Sequence, residues 1–269
     1  MPKKLLNFFF PKSCTVCQCD LETDRSFFCV RCDPFTNRFH QSNLLFTSQN
    51  TRCYRCGEPC GDSASEKPIC AVCEAWPPAS YRMRSIGRYT RTVENAVKAC
   101  KYWNRRQLLN YFAEVIGKSL QSPQANLFPD TAFDFICAIP SSKDIVQDRG
   151  FGHMSIIARK AAKIAGIPYQ NKALTSPSNR TAQAKVRVSK RKQNIQDAFE
   201  ANPRIVKGKT ILLLDDVMTT GATVLAGTTS LLDAGAKQVD VLTIARSERF
   251  NSFRLMNIKH TDNVKTQIQ

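Results

Sequence analysis

Beyond residue 90 the apolar positions fall in short unbroken runs, separated by stretches in which they recur every three or four residues. Residues 91 to 119 carry the helical period, Phe133 to Ile139 is a largely apolar strand that stops at Pro140, and Phe151 to Ala165 is helical again. Thr210 to Val217 holds a continuous apolar strand, Thr223 to Ala234 a helix, and Val239 to Ala245 a further strand. Strands without a polar face are buried on both sides. The alternation therefore predicts an α/β fold, a parallel sheet with helices on both faces, with ligands bound at the carboxyl ends of its strands.

The first 78 residues follow neither period and hold ten of the twelve cysteines within residues 1 to 73. Eight of them form four Cys-x-x-Cys knuckles: Cys14/Cys17, Cys29/Cys32, Cys53/Cys56 and Cys70/Cys73. A knuckle places two thiolates on one tight turn, and two knuckles complete a tetrahedral zinc site. Sequential pairing gives two ribbons with loops of 11 and 13 residues; an interleaved arrangement is also open to the sequence, and Cys19 and Cys60 stand as spare ligands. A disulfide framework would need an oxidising compartment, and the apolar stretch from Leu5 to Phe10, ended by Pro11, is too short for an export signal and reads as a short packing helix. With few large apolar residues between the knuckles, metal binding of about 10 to 16 kcal/mol per site is the expected source of folding energy. Closed four-thiolate sites leave no open position for chemistry, so both zinc ions are structural. Pro77-Pro78 marks the expected boundary, giving a double zinc-ribbon domain over 1–78, an α/β domain over 79–249 and a polar tail over 250–269.

Composition adds a localised charge. The chain has 269 residues and a formal net charge of +17, of which +15 belongs to residues 81–208. No acid occurs between Asp148 and Asp197, and Lys185, Arg187, Lys190, Arg191 and Lys192 form the densest basic strip. Such a concentration suits a polyanion, either a phosphorylated metabolite or a nucleic acid. No run approaches the 18 apolar residues of a spanning helix, and the expectation is a cytoplasmic protein without membrane insertion.

The most specific motif is Ile211 to Thr223, ILLLDDVMTTGAT. Four apolar residues drive a buried strand, Asp215 and Asp216 follow where it emerges, and Thr219-Thr220-Gly221-Ala222-Thr223 runs straight into a helix. Gly221 allows close backbone approach, while loop N–H groups, hydroxyls and the helix start can hold a phosphate. Without Gly-Lys-Ser/Thr the loop is not a Walker A loop. Paired carboxylates beside a phosphate cradle suit a sugar phosphate: the acids hold ribose hydroxyls and the loop holds the 5-phosphate. With only His40, His153 and His260, no Cys-His or Ser-His-Asp constellation is available, and His153 reads as a solvated loop side chain.

The 13-residue stretch, with Val217 inside it, resembles the phosphoribosyl pyrophosphate (PRPP) motif of type I phosphoribosyltransferases. Its neighbours narrow the resemblance to the ComF family, which joins amino-terminal Cys-x-x-Cys knuckles to a phosphoribosyltransferase domain. The family's Leu-Phe-Pro lead-in is similar to Phe9-Phe10-Pro11, its Lys-aromatic element to Lys101-Tyr102, and its Arg-Gly-Phe element to Arg149-Gly150-Phe151. Its Arg-x-x-Asn and Ala-Phe elements resemble Arg191, Asn194, Ala198 and Phe199, with Gln183 upstream. The chain departs from the family at Gly152 and His153, where Asn-Gln is usual, and at Ile145 and Arg180, where Arg and Thr are usual.

The resemblance implies a type I phosphoribosyltransferase-like sheet and a Mg2+-dependent transferase of the glycosyltransferase class that binds PRPP. It implies PRPP contacts from Lys101 and the Pro140-Ser141-Ser142 turn, with Arg149 facing pyrophosphate beside the catalytic Asp215 and Asp216. It also implies a setting in natural competence or DNA utilisation, with single-stranded DNA and competence-machinery proteins as candidate partners. The basic strip then reads either as a lid over pyrophosphate or as a DNA-backbone contact. The alternative to an enzyme is a non-catalytic competence adaptor or single-stranded DNA-binding module that retains the PRPP pocket.

Overall fold

The computed structural model describes residues 13–14, 17–21, 28–29, 31–33, 52–57, 65, 67–74, 82–102, 106–123, 125–141, 151–177 and 198–247. The expected helix at Leu5 to Phe10, the Pro77-Pro78 boundary, the basic strip and the tail lie outside these residues.

After a single turn α1 (Ala71–Glu74), the elements run β1 (Met83–Arg88), α2 (Arg91–Tyr102), α3 (Arg106–Gln121), β2 (Phe135–Ala138) and α4 (His153–Ala165). They continue with β3 (Leu174–Thr175), β4 (Glu200–Ala201), α5 (Pro203–Val206), β5 (Thr210–Met218), α6 (Ala222–Asp233) and β6 (Gln238–Arg246). The main sheet has the order β1-β6-β5-β2 with every pairing parallel. β3 and β4 pair antiparallel as Leu174↔Ala201 and Thr175↔Glu200, which brings together the two ends of the segment carrying the basic strip.

The pleat sorts the strand side chains into two cores. Ile136, Leu212, Leu214, Leu242 and Ile244 pack with the buried faces of α2, α3 and α4, where Phe112, Ile116, Met154 and Ile157 recur at helical spacing. Phe135, Ile211, Leu213, Val239 and Val241 pack on the opposite side with Val224 and Leu231 of α6. Helices thus cover both faces, which is why β5 is apolar at consecutive positions. Gly117 of α3 permits the close approach to α4: a Cβ there would lie 2.6 Å from Ile164 Cβ and 3.1 Å from the Ala161 carbonyl oxygen.

Two features depart from the sequence reading. β1 has no counterpart in it, because an edge strand reading MRSIGR carries little apolar signal. Its polar groups find partners far along the chain: Arg82, just before β1, pairs with fully buried Asp240 through Nη2 at 2.6 Å, and Ser85 Oγ lies 2.6 Å from Thr243 Oγ1. Secondly, β5 does not end before the acid pair. β6 extends to Arg246, so the ladder continues through Asp215↔Thr243 and Val217↔Ala245 to Met218↔Arg246, and both acids stand within the strand.

Candidate functional site

Successive strand residues face opposite sides of a sheet, so the pleat separates Asp215 from Asp216. Asp216 meets the α2 and α4 side: Lys101 Nζ lies 2.6 Å and His153 Nε2 2.7 Å from its Oδ2. Lys101 comes from the last turn of α2 and His153 is the first residue of α4. Burial alone would raise the Asp216 carboxyl, but the hydrogen bond from His153 and the charge of Lys101 outweigh it and hold the group below its ordinary value. Asp215 is equally buried, and no salt bridge reaches it among the described residues. Its Oδ1 accepts from the Asp216 backbone N–H at 2.9 Å. Burial, and then the neighbouring Asp216 charge, push its carboxyl up to about 8. One acid is thus an ion-paired anchor and the other a proton-holding carboxyl.

The expected phosphate loop follows at once. Met218 is buried, Thr219 and Thr223 are exposed, and Gly221 caps α6 with φ 79°, in the left-handed region that favours glycine. Thr220 Oγ1 accepts from the Ala222 N–H at 3.3 Å, which shapes the turn, and the first amides of the 12-residue helix α6 follow it. The loop therefore presents hydroxyls and backbone donors at the carboxyl end of β5.

Across the β2–β5 pair, Ile139 N donates to Leu214 O at 2.9 Å, placing Pro140 and Ser141 beside the end of β5. A Cβ on Gly152 would lie 3.9 Å from Ser141 Oγ, so the Pro140-Ser141 turn and the start of α4 adjoin. The fold brings together Lys101, Pro140, Ser141, Asp215, Asp216, Val217 and the Thr219–Thr223 loop at one end of the sheet. Ser142, Arg149 and the strip Lys185, Arg187, Lys190, Arg191 and Lys192 lie outside the described residues.

His153 corrects the sequence reading. It is 7% exposed, not solvated, and its Nδ1 is buried without a hydrogen-bond partner among the described residues. The helix start directs it at a strand acid 63 residues away, a pairing that no local pattern announces. The departure from the family's Arg-Gly-Phe-Asn-Gln pattern at this position was the only signal.

The cysteines assemble in sequential pairs. Cys14, Cys17, Cys29 and Cys32 form one cluster and Cys53, Cys56, Cys70 and Cys73 the other, with the sulfur atoms of each within 4.8 Å of one another. Knuckle turns hold them, with Gln18 N donating to Cys14 O and Gly57 N to Cys53 O, and the Cys70 N–H donates to Cys53 Sγ at 3.3 Å. Hydrogen bonding to its neighbours pushes the Cys53 thiol down and the Cys56 thiol up. Four soft donors in so small a space fit one tetrahedral zinc ion, which would take all four as thiolates. Cys19 Sγ lies 3.4 Å from Cys17 Sγ, so one expected spare ligand sits at the first cluster, while Cys60 lies outside the described residues. The first cluster docks on α3, where Tyr111 Oη donates to Asp33 Oδ1 at 2.7 Å and the Phe28 and Tyr111 rings meet edge-on at 5.0 Å. The second covers the outer edge of β1, with the Met83 N–H donating to Arg55 O at 2.7 Å.

Among known proteins, the phosphoribosyl transferase domain family matches residues 146–268. The DNA utilization protein YhgH of Salmonella typhi is 26% identical over 196 residues, covering 72% of this chain and 84% of that protein. The competence protein ComFC of Bacillus subtilis is 25% identical over 195 residues, covering 70% and 76%. The YhgH protein of Escherichia coli K12 is 22% identical over 240 residues, covering 88% and 98%. Similar solved structures include the allosteric regulatory enzyme of purine biosynthesis, at TM-score 0.39 and 21% identity over 55% of this chain and 30% of that one. Adenine phosphoribosyltransferase from Saccharomyces cerevisiae gives TM-score 0.35 and 13% identity over 57% of this chain and 76% of that one. The domain match and these relatives make the chain similar to phosphoribosyltransferase-like proteins of the ComF kind.

Proposed function

We propose that the protein binds PRPP with Mg2+ and transfers its phosphoribosyl group to a nucleophilic acceptor, in the setting of competence or DNA utilisation. The observation that carries this reading is the juxtaposition, at one strand end, of Asp215 and Asp216 with the Thr219–Thr223 loop that opens α6. The loop's amides and hydroxyls hold the 5-phosphate, and the acids hold the ribose hydroxyls. Lys101, the Pro140-Ser141-Ser142 turn and Arg149 face the pyrophosphate. The hard oxygens of Asp215, against which no cation lies among the described residues, fit Mg2+, which offsets the charge of the leaving pyrophosphate. In the transfer the bond from ribose C1 to pyrophosphate breaks, a bond from C1 to the acceptor forms, and the acceptor gives up a proton. Positioned cations and carboxylates serve this chemistry without a nucleophilic side chain.

In the same reading residues 1–78 form the double zinc-ribbon domain, 79–249 the transferase-like domain and 250–269 a tail. The ribbons are scaffold and recognition surface. The names of the YhgH and ComFC relatives support the DNA-utilisation and competence setting, with single-stranded DNA and competence-machinery proteins as partners. The proposed setting is the cytoplasm; no helix among the described residues is long and apolar enough to cross a membrane.

One observation favours a second reading, a binding module that keeps the pocket without turnover. Asp216 is already engaged by both Lys101 and His153, and a ligand must draw it away from them. Isothermal titration with PRPP and Mg2+, followed by pyrophosphate release with a panel of bases and amines, separates the readings. Release with any acceptor supports the enzyme, binding without release supports the module, and absence of PRPP binding overturns both.

A further inference from the structure

The carboxyl end of β6 is where the second cysteine cluster meets the sheet. Arg246, the last residue of the strand, is 4% exposed and donates from Nη1 to the Cys56 carbonyl at 2.7 Å. Its own carbonyl accepts from the Tyr89 N–H at 2.8 Å, and it stands opposite Met218 in the ladder. The next residue, Ser247, donates its N–H to Met218 O at 3.0 Å. Met218 immediately precedes Thr219. Together with Val224 on the far side of the phosphate loop, it belongs to the apolar cluster that contains Cys53, Cys56 and Cys73.

A buried guanidinium is tolerated only where its N–H groups find acceptors. Here the knuckle supplies them: besides Arg246, Arg84 donates to Tyr54 O at 2.8 Å and to Arg55 O at 3.2 Å. These carbonyls point at the sheet only while the Cys53–Cys56 turn keeps its shape, which four thiolates sharing one metal ion would enforce. Such a centre carries about two negative charges, which strengthens its hold on the adjoining guanidinium groups.

We infer that Arg246 is a positioning residue that transmits the folded state of the Cys53/Cys56/Cys70/Cys73 cluster to Met218 and thence to the Thr219–Thr223 loop, so that phosphate capture depends on this cluster. The inference rests on the PRPP reading for its ligand, but the coupling itself has a readout that needs no ligand.

The experiment compares full-length wild type with Arg246→Ala, Arg246→Lys, Cys53→Ser and Tyr111→Phe. It reads zinc content, amide hydrogen exchange across residues 216–225, and PRPP affinity with Mg2+. Arg246→Ala is expected to keep its zinc and unfold cooperatively, yet to exchange faster across 216–225 and to bind PRPP about tenfold more weakly. Arg246→Lys, which restores one charged donor, should recover most of both. Cys53→Ser should lose one zinc and show the same fast exchange, whereas Tyr111→Phe, which loosens the first cluster, should leave exchange and affinity as in wild type. If Arg246→Ala does not fold, Arg246→Gln is read in the same way. Wild-type exchange in a zinc-replete Arg246→Ala or Arg246→Gln protein overturns the inference, as does a Tyr111→Phe protein with equally fast exchange. A wild type that binds no PRPP overturns the proposed function, and the exchange comparison then decides the coupling alone.

Discussion

Replacing each acid of the β5 pair separately by asparagine should move stability in opposite directions. Between an ordinary carboxyl at 3.8 and one at about 8, proton linkage amounts to about 6 kcal/mol at about 1.4 kcal/mol per pH unit. The native state holds a proton on Asp215 that the unfolded chain has lost, so wild-type stability falls as pH rises from about 4 to about 8. Asp215→Asn is neutral throughout and removes this slope. The amide must still fit beside the Asp216 N–H, a cost that applies at every pH, so a net gain on the order of 2 kcal/mol is expected at pH 8 and a net loss at pH 4. Asp216→Asn acts in reverse. It strips the negative charge that Lys101 and buried His153 share, a loss of about 3 to 5 kcal/mol in a fully buried pair. With the Lys101 side chain 23% exposed, solvent reduces this to about 2 kcal/mol. That contribution is present above the ordinary carboxylate value and disappears as pH falls through the lowered value of Asp216. Urea unfolding followed by circular dichroism at pH 5 and pH 8, in Mg2+-free buffer, reads both. A destabilised Asp215→Asn protein at pH 8, or a gap to wild type that does not widen between the two pH values, would refute the reasoning. In the proposed function both variants also lose PRPP affinity, so Asp215→Asn should be the more stable protein and the poorer binder.

The isolated protein should contain about two zinc ions, one per four-cysteine cluster, and Cys53→Ser should lose one of them with local unfolding; elemental analysis finding no metal, with the thiols oxidised, would overturn this. Gly117→Ala gains about 1 kcal/mol of helix propensity but drives a methyl group into Ile164 and the Ala161 carbonyl, so a net loss of about 1 to 2 kcal/mol is expected in urea midpoints. If Lys185, Arg187, Lys190, Arg191 and Lys192 contact single-stranded DNA, log affinity should fall with log salt by about 0.7 per neutralised phosphate, and replacing three of them by alanine should flatten that slope by about 2. Filter binding across a salt series reads this, and a slope indifferent to the substitutions leaves the strip as a lid alone.

What the sequence determined by itself rests on local necessity. Residues Ile211 to Leu214 read as a strand because four consecutive large apolar side chains suit a strand buried on both faces, and Cys-x-x-Cys fixes two thiols on one turn whatever surrounds it. Gly221 and its hydroxyl neighbours announced a turn into a helix for the same reason, and the turn stands where the sequence placed it. Tertiary structure decided everything that depends on distant partners. β1 became a strand through Arg82 with Asp240 and Ser85 with Thr243, pairs 158 residues apart that supply what its own sequence lacks. The sequential pairing of knuckles was a choice among arrangements with equal local geometry. The division of labour within the acid pair came from the pleat, which turned Asp216 toward Lys101 and His153 and left Asp215 without a salt bridge among the described residues. Backbone propensity and side-chain spacing are properties of neighbours in sequence, whereas burial and charge pairing at a strand end are set by neighbours in space.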